Sequence, residues 1–263
     1  MLAWGPNGFV EALGAVAEIG YDGVECPAGL VRAYEDRLHV FQEILEASGL
    51  RLCAMSQHED ILEREHADEA AERVANTARF LGANEKPCLV LAPRNRQPEE
   101  VTADDWVTVA AILDEMGSRC QEFGIRFVFR PRAGFLAGND RDLKRLMGMT
   151  DPRLVHLCCD TAELTLAGMA IDRFIKTHTD RLHYVRLRDA SGARRRPKTT
   201  SPRPGSAPLY GRGAVDFAKV GRALASVRYS GWVTVEIAGE AHPPREAAEN
   251  AFRTIVRKSG LFL

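Results

Sequence analysis

The sequence predicts a single (β/α)8 barrel, and three observations lead there. Short apolar runs alternate with helix-period segments along the chain, which implies parallel strands joined by helical crossovers. The runs are apolar throughout rather than alternating, as in strands covered on both faces. Eight such units fit within 263 residues, the usual count and size of a closed barrel. The rival, a doubly wound open sheet, lacks its glycine fingerprint after the first strand.

The elements follow in order. LAWG (2–5) is a short first strand. Phe9–Ile19 carries apolar residues at helical spacing, and Gly20 stops it. YDGVEC (21–26) is the next strand, Tyr34–Ser48 a helix ended by Gly49, and LRLCAMS (50–56) a strand. Leu62–Leu81 is an amphipathic helix, CLVLA (88–92) a strand ended by Pro93, and Ala103–Phe123 a helix stopped by Gly124. IRFVFR (125–130), LVHLCC (154–159), LHYVRL (182–187) and WVTVEI (232–237) complete the strands. Helices are expected at Arg141–Met147, Ile171–His178, Asp216–Val227 and Pro244–Lys258. One segment breaks the alternation. Residues 190–213 read ASGARRRPKTTSPRPGSAPLYGRG, a basic insertion longer than most barrel loops, which reads either as a mobile surface loop or as a basic lid over the strand ends. The whole chain, 1–263, is read as one barrel domain carrying this insertion.

Composition bounds the function. Apolar residues make up 45% and charged residues 27%, and the net charge is −1, so no global field favours nucleic acid or an anionic membrane. The six cysteines form no CxxC pair, which removes zinc-ribbon and thioredoxin readings. Buried free thiols, no leader-like start and no apolar run near 18 residues make a cytoplasmic location the expectation. A homodimer is compatible with the sequence but not specified by it. Nucleophile-elbow, Walker and HExxH motifs are absent, so nothing supports triad hydrolase, phosphotransferase or zinc protease chemistry.

Barrel enzymes keep their chemistry at strand C-termini. Here those ends carry Arg130, Arg132, Asp160, Glu163, Arg186, Arg188 and Asp189. Residues two apart on a strand share a face, so Arg130 with Arg132, and Arg186 with Arg188, can converge on one anion. Guanidinium forks match carboxylate and phosphate. Glu236, Asp160 and Glu25 at strand ends, and His58 just after a strand, are the proton-transfer candidates. Arg212, Glu163 and Tyr210 join the substrate-binding set, with Tyr210 as a donor from the lid. Cys158 and Cys159 read as core, and His156 and His183 as packed or rim residues.

Several pieces, in order, resemble the xylose-isomerase-like barrel superfamily, the sugar phosphate isomerase/epimerase group, and most closely its inosose-dehydratase-like branch. They are EIGYDGVE (18–25), LCCDTAELTLAG (157–168), HYVRLRD (183–189), PLYGRGAVDF (208–217) and YSGWVTVE (229–236). The family's counterparts read CLDTGHLAYAG, HVHLKD, PLGEGVVDF and YDGWLVVE for the last four. The resemblance implies one divalent metal at the barrel top that steadies an enediolate or enolate. Its ligands would be a Glu after the fifth strand, an Asp, a His and a Glu. Carried onto this chain, Asp160 and Glu236 match. The His position is Arg186, and the first Glu falls near Gly138. HPHAG becomes RPRAG, giving Arg130 and Arg132; the His of DTGH is Glu163, and the Glu of LGEG is Arg212.

Arginine stays protonated and is no ordinary metal ligand. A guanidinium ~5 Å from a dication costs roughly 6–7 kcal/mol at an effective dielectric of ~20. No metal or other cofactor is therefore expected. The expected function is isomerisation, epimerisation or elimination, by proton transfer, of a small anionic compound carrying carboxylate or phosphate, with arginines as the electrophile. Two alternatives stand beside it. One is a conventional metal-dependent member, with Mg or Mn on Asp160 and Glu236, joined by Glu25 and Glu163. The other is a non-catalytic barrel that binds an anion or a partner protein.

Overall fold

The structure is a computed structural model, which describes residues 8–62, 64–84, 87–94, 101–190, 210–236 and 243–260. The strands are β1 Gly23–Pro27, β2 Arg51–Glu59, β3 Cys88–Pro93, β4 Arg126–Phe129, β5 Val155–Asp160, β6 Leu182–Leu187 and β7 Trp232–Val235. The helices are α1 Phe9–Ile19, α2 Val31–Tyr34, α3 Leu38–Ser48, α4 Ala67–Gly82, α5 Ala103–Glu122, α6 Asp140–Met149, α7 Thr161–Leu166, α8 Ile171–Thr177, α9 Phe217–Ser226 and α10 Pro244–Ser259. Among the described residues the strands lie in chain order, each neighbouring pair parallel.

The two ends of this sheet come together. A Cβ added to Gly23 on β1 would lie 3.0 Å from the Trp232 ring on β7, so the close approach requires glycine. The Arg51 guanidinium stacks 4.6 Å over the same ring. Outside, α10 closes the helical layer: Tyr21 meets Phe252 edge-on at 5.0 Å and donates to the Ala248 carbonyl at 3.0 Å. The architecture is that of the predicted (β/α)8 barrel. The expected first strand, LAWG, lies outside the described residues, as does residues 191–209 of the insertion.

Strand pleating sorts side chains into two cores. Val24, Cys26, Leu89, Leu91, Phe127, Phe129, Leu157, Cys159, Val185 and Leu187 belong to the large core shared with the helices. Cys88, Val90, Val128, Cys158 and Tyr184 cluster separately, inside the barrel. The inward rows then continue towards the strand C-termini in steps of two. Val128 leads to Arg130, Cys158 to Asp160, and Tyr184 to Arg186 and Arg188. The site is therefore the polar top layer of the barrel's inner core.

Several boundaries differ from expectation. The helix read at Tyr34–Ser48 starts at Leu38, because Tyr34 (φ −129°, ψ 0°) and Arg37 (φ −144°, ψ 47°) break it. The helix read from Leu62 begins at Ala67. β2 runs on to Glu59, paired with β3 to Pro93, so His58 lies within a strand rather than after it. Glu25 is the third residue of β1, not its end. The short α7 was not expected. Asp160 starts it: its Oδ1 accepts from the Ala162 and Glu163 amides, both at 3.1 Å, so the residue that ends β5 also caps the next helix.

Candidate active site at the barrel mouth

Pairing between β5 and β6 sets Asp160 beside Arg186, and pairing of β6 with β7 sets Arg186 beside Thr234. The Glu236 amide then donates to the Leu187 carbonyl at 3.0 Å, which places Glu236 at the rim. Four arginines and four carboxylates meet there. Arg130 donates to Asp160 at 3.0 Å. Arg186 donates to Glu236 at 2.9 Å and also contacts Glu25 directly. Arg188 donates to Glu163 at 2.9 Å, lies 3.8 Å from Asp160 and 3.4 Å from Glu236. Arg132 lies 3.9 Å from Glu163, stacks on Phe135 at 3.9 Å and donates to the Pro93 carbonyl. Glu163 also accepts from the Ala133 amide at 3.0 Å. With Arg130, Arg132, Arg186 and Arg188 set against Glu25, Asp160, Glu163 and Glu236, the charges balance.

The pairs fix protonation states. Burial alone would raise the Asp160 carboxyl, but Arg188, Arg130 and Arg186 outweigh it and hold the group below the ordinary carboxylate range. Glu236 follows the same pattern, burial being outweighed by Arg186 and Arg188. Both are ionised bases near neutrality. His58 lies 3.2 Å from Arg130 through Nε2. Arginine only donates, so Nε2 accepts and the proton sits on Nδ1. Burial, then Arg130, Arg132 and Arg186, push the imidazole down to about 4, so it is neutral. Some donors remain unmatched: the Nε atoms of Arg130, Arg132 and Arg186 are buried without a hydrogen-bond partner.

Two expected site residues lie elsewhere. The Tyr210 hydroxyl is occupied by the backbone: it donates to the Leu187 carbonyl at 2.7 Å and contacts the Glu236 carbonyl, while the ring stacks on Phe217. It clamps the end of β7 and is not aimed at the mouth. Arg212 is exposed and makes no ion pair among the described residues. The turn carrying both is tied down by Asp189, which accepts from the amides of Gly211, Gly213 and Val215. A Cβ on Gly213 would sit 2.2 Å from Asp189 Oδ1, so no larger residue fits there. One site residue was missed. Tyr184, fully buried, donates to Glu25 at 2.9 Å from below and contacts Cys53 Sγ at 3.5 Å. Its place two residues before Arg186 was the available signal.

The family described as xylose isomerase-like TIM barrel matches residues 13–257. The chain belongs to the xylose isomerase-like TIM barrel family. Among its relatives, an inosose dehydratase of Geobacillus kaustophilus is 30% identical over 162 residues, 58% of this chain and 53% of the relative. That match spans about half the relative's length. An inosose dehydratase of Bacillus cereus is 25% identical over 278 residues, covering 97% of this chain and 91% of the relative. The fold also matches 3-keto-D-glucoside 4-epimerase from E. coli, with a TM-score of 0.78, 15% identity and coverage of 96% and 95%. A D-allulose 3-epimerase from Methylomonas sp. gives 0.76 and 17%, with coverage of 97% and 92%.

The metal that this xylose isomerase-like family implies can be tested against the donors present. Arg186 stands where the resemblance places a ligand, and its N–H groups already engage Glu25 and Glu236. Among the described residues no three His, Cys, Asp or Glu side chains are grouped to hold a metal ion. As they stand, the carboxylates at this position are paired with arginines rather than grouped as ligands. No helix among the described residues is long and apolar enough to cross a membrane.

Proposed function

We propose that this barrel catalyses isomerisation, epimerisation or elimination of a small anionic polyhydroxy or keto compound, by proton transfer and without a divalent metal. The observation that carries the reading is Arg186, a fixed cation seated between Glu25 and Glu236. A carboxylate takes the proton from the carbon next to a carbonyl. The electron pair left behind moves onto the carbonyl oxygen, where a guanidinium N–H stabilises the developing charge. Returning the proton to the same carbon on the other face gives an epimer. Returning it to the former carbonyl carbon, while the neighbouring hydroxyl gives its proton to the enolate oxygen and becomes the new carbonyl, gives an isomer. Expulsion of the hydroxyl on the far carbon, which leaves as water with the proton held by the base, gives a dehydration product. Glu236 is assigned as base, since it is ionised and reaches the rim; Glu25 and Asp160 hold the arginines in place. His58, neutral with Nδ1–H free of Arg130, donates a hydrogen bond to substrate. The similarity to inosose dehydratases and the fold shared with sugar epimerases support this reaction class. Six buried, unpaired cysteines support a reducing compartment such as the cytoplasm.

The experiment is exchange in heavy water. Candidate hydroxyketones and keto acids are incubated with the protein and followed by proton NMR. Deuterium should enter next to the carbonyl, and the Arg186→Met and Glu236→Gln proteins should lose most of that exchange. Exchange by neither a broad substrate panel nor any inosose would turn the reading towards a binding barrel.

A further inference from the structure

The four carboxylates at the mouth are not equally held. Asp160 is 0% exposed and Glu163 8%; Asp160 also accepts two backbone amides and Glu163 one. Glu25 is 14% exposed and braced by the Tyr184 hydroxyl. Glu236 is 35% exposed. Among the described residues its carboxylate meets Arg186 on one oxygen, at 2.9 Å, and Arg188 on the other, at 3.4 Å. Charge-assisted guanidinium–carboxylate hydrogen bonds are among the strong ones, and two guanidinium groups, one to each oxygen, can hold a ligand's carboxylate in the same way. Arg186 and Arg188 are themselves only 6% and 12% exposed and locked from behind by Glu25 and Glu163. They cannot follow Glu236 outward.

We propose that Glu236 holds, in the free protein, the seat of the substrate's own carboxylate, and that a ligand carboxylate replaces it across Arg186 and Arg188. This deepens the anionic-substrate reading of the same mouth and rests on it. The exchange is charge-neutral for the buried arginines: one monovalent carboxylate leaves and another enters. It also couples binding to chemistry. Glu236 is held by arginines while the site is empty and is released as a stronger base when substrate arrives, because a carboxylate away from guanidinium binds protons more readily. A dianion such as phosphate fits less well, since the seat offers two N–H donors to one planar group.

The test is binding without turnover. Sodium acetate and inorganic phosphate are titrated calorimetrically, at fixed ionic strength, into wild type, Glu236→Gln and Glu236→Asp. With Gln the ligand no longer competes with an internal anion, so acetate should bind at least tenfold more tightly than to wild type. With Asp the charge is kept but the reach is one methylene shorter, so the gain should be several-fold; this variant carries the test should the Gln protein fold poorly. Arg188→Met in the Glu236→Gln background should abolish the gain. Equal or weaker acetate binding in both Glu236 variants overturns the exchange and leaves the anionic-substrate reading standing. Phosphate gaining more than acetate overturns the carboxylate assignment. No anion binding to any of the proteins overturns both.

Discussion

Replacing Arg130 by Met removes a charge while keeping most of the side-chain volume, and it leaves Asp160 buried. The two groups are 5% and 0% exposed with 3.0 Å between Nη1 and Oδ2. Removing one partner of such a pair typically costs about 3–5 kcal/mol. Asp160 keeps two backbone amides and Arg188 at 3.8 Å, so the low end, about 3 kcal/mol, is expected. For a chain of this length that lowers the melting temperature by roughly 5 °C. Urea unfolding of Arg130→Met, Asp160→Asn and the double variant gives the coupling. The double variant should cost less than the sum of the singles by at least ~1.5 kcal/mol. A single-variant cost within ~0.5 kcal/mol of zero, the range of ordinary surface changes, or strict additivity, would refute the pairing.

Three further outcomes follow from the same geometry. The His58 imidazole should titrate near 4 by NMR, its neutral form being the one the fold favours. The stability from that preference is present above the unfolded value of ~6.5 and is lost as pH falls towards 4; Arg130→Met should move the midpoint up, and an unmoved midpoint would deny the contact. Asp160 has a folded pKa below its ordinary value, so its contribution is present above pH ~4 and is lost on acidification through the folded value. The urea midpoint of Asp160→Asn should therefore fall less steeply below pH 4 than that of wild type. Tyr210→Phe should cost about 1–2 kcal/mol by removing the one hydroxyl donor that the Leu187 and Glu236 carbonyls share; lost turnover with unchanged stability would instead restore a role in catalysis.

The order of strands and helices was legible because glycine stops and apolar runs are local signals. Gly20 (φ 104°) and Gly49 (φ 69°) do end their helices in the left-handed conformation. The convergence of Arg130, Arg186 and Arg188 was legible too, since strand ends of one barrel share a mouth. What could not be read was pairing across the barrel. Nothing local in YDGVEC says that Glu25 meets Arg186, 161 residues away. Strand adjacency predicts carboxylate partners for the arginines, and Asp160 does pair with Arg130 and Glu236 with Arg186; what it does not predict is the reach of Glu25 to the same guanidinium across the closed barrel. Tyr210 failed for a related reason: a tyrosine in a basic, glycine-rich stretch suggests a lid donor, but its hydroxyl is taken by backbone carbonyls from two strand ends. His58 was placed one element too late because SQHE carries no apolar signal to extend the strand.

The central claim is that a guanidinium stands where relatives of this fold are expected to keep a dication. Mn2+ titrated calorimetrically into protein purified without chelators, with parallel elemental analysis and the heavy-water exchange assay run with and without EDTA, tests it directly. The account predicts no stoichiometric metal, no Mn2+ binding tighter than millimolar, and exchange unchanged by EDTA. A stoichiometric dication whose removal abolishes exchange and whose return restores it would contradict the account.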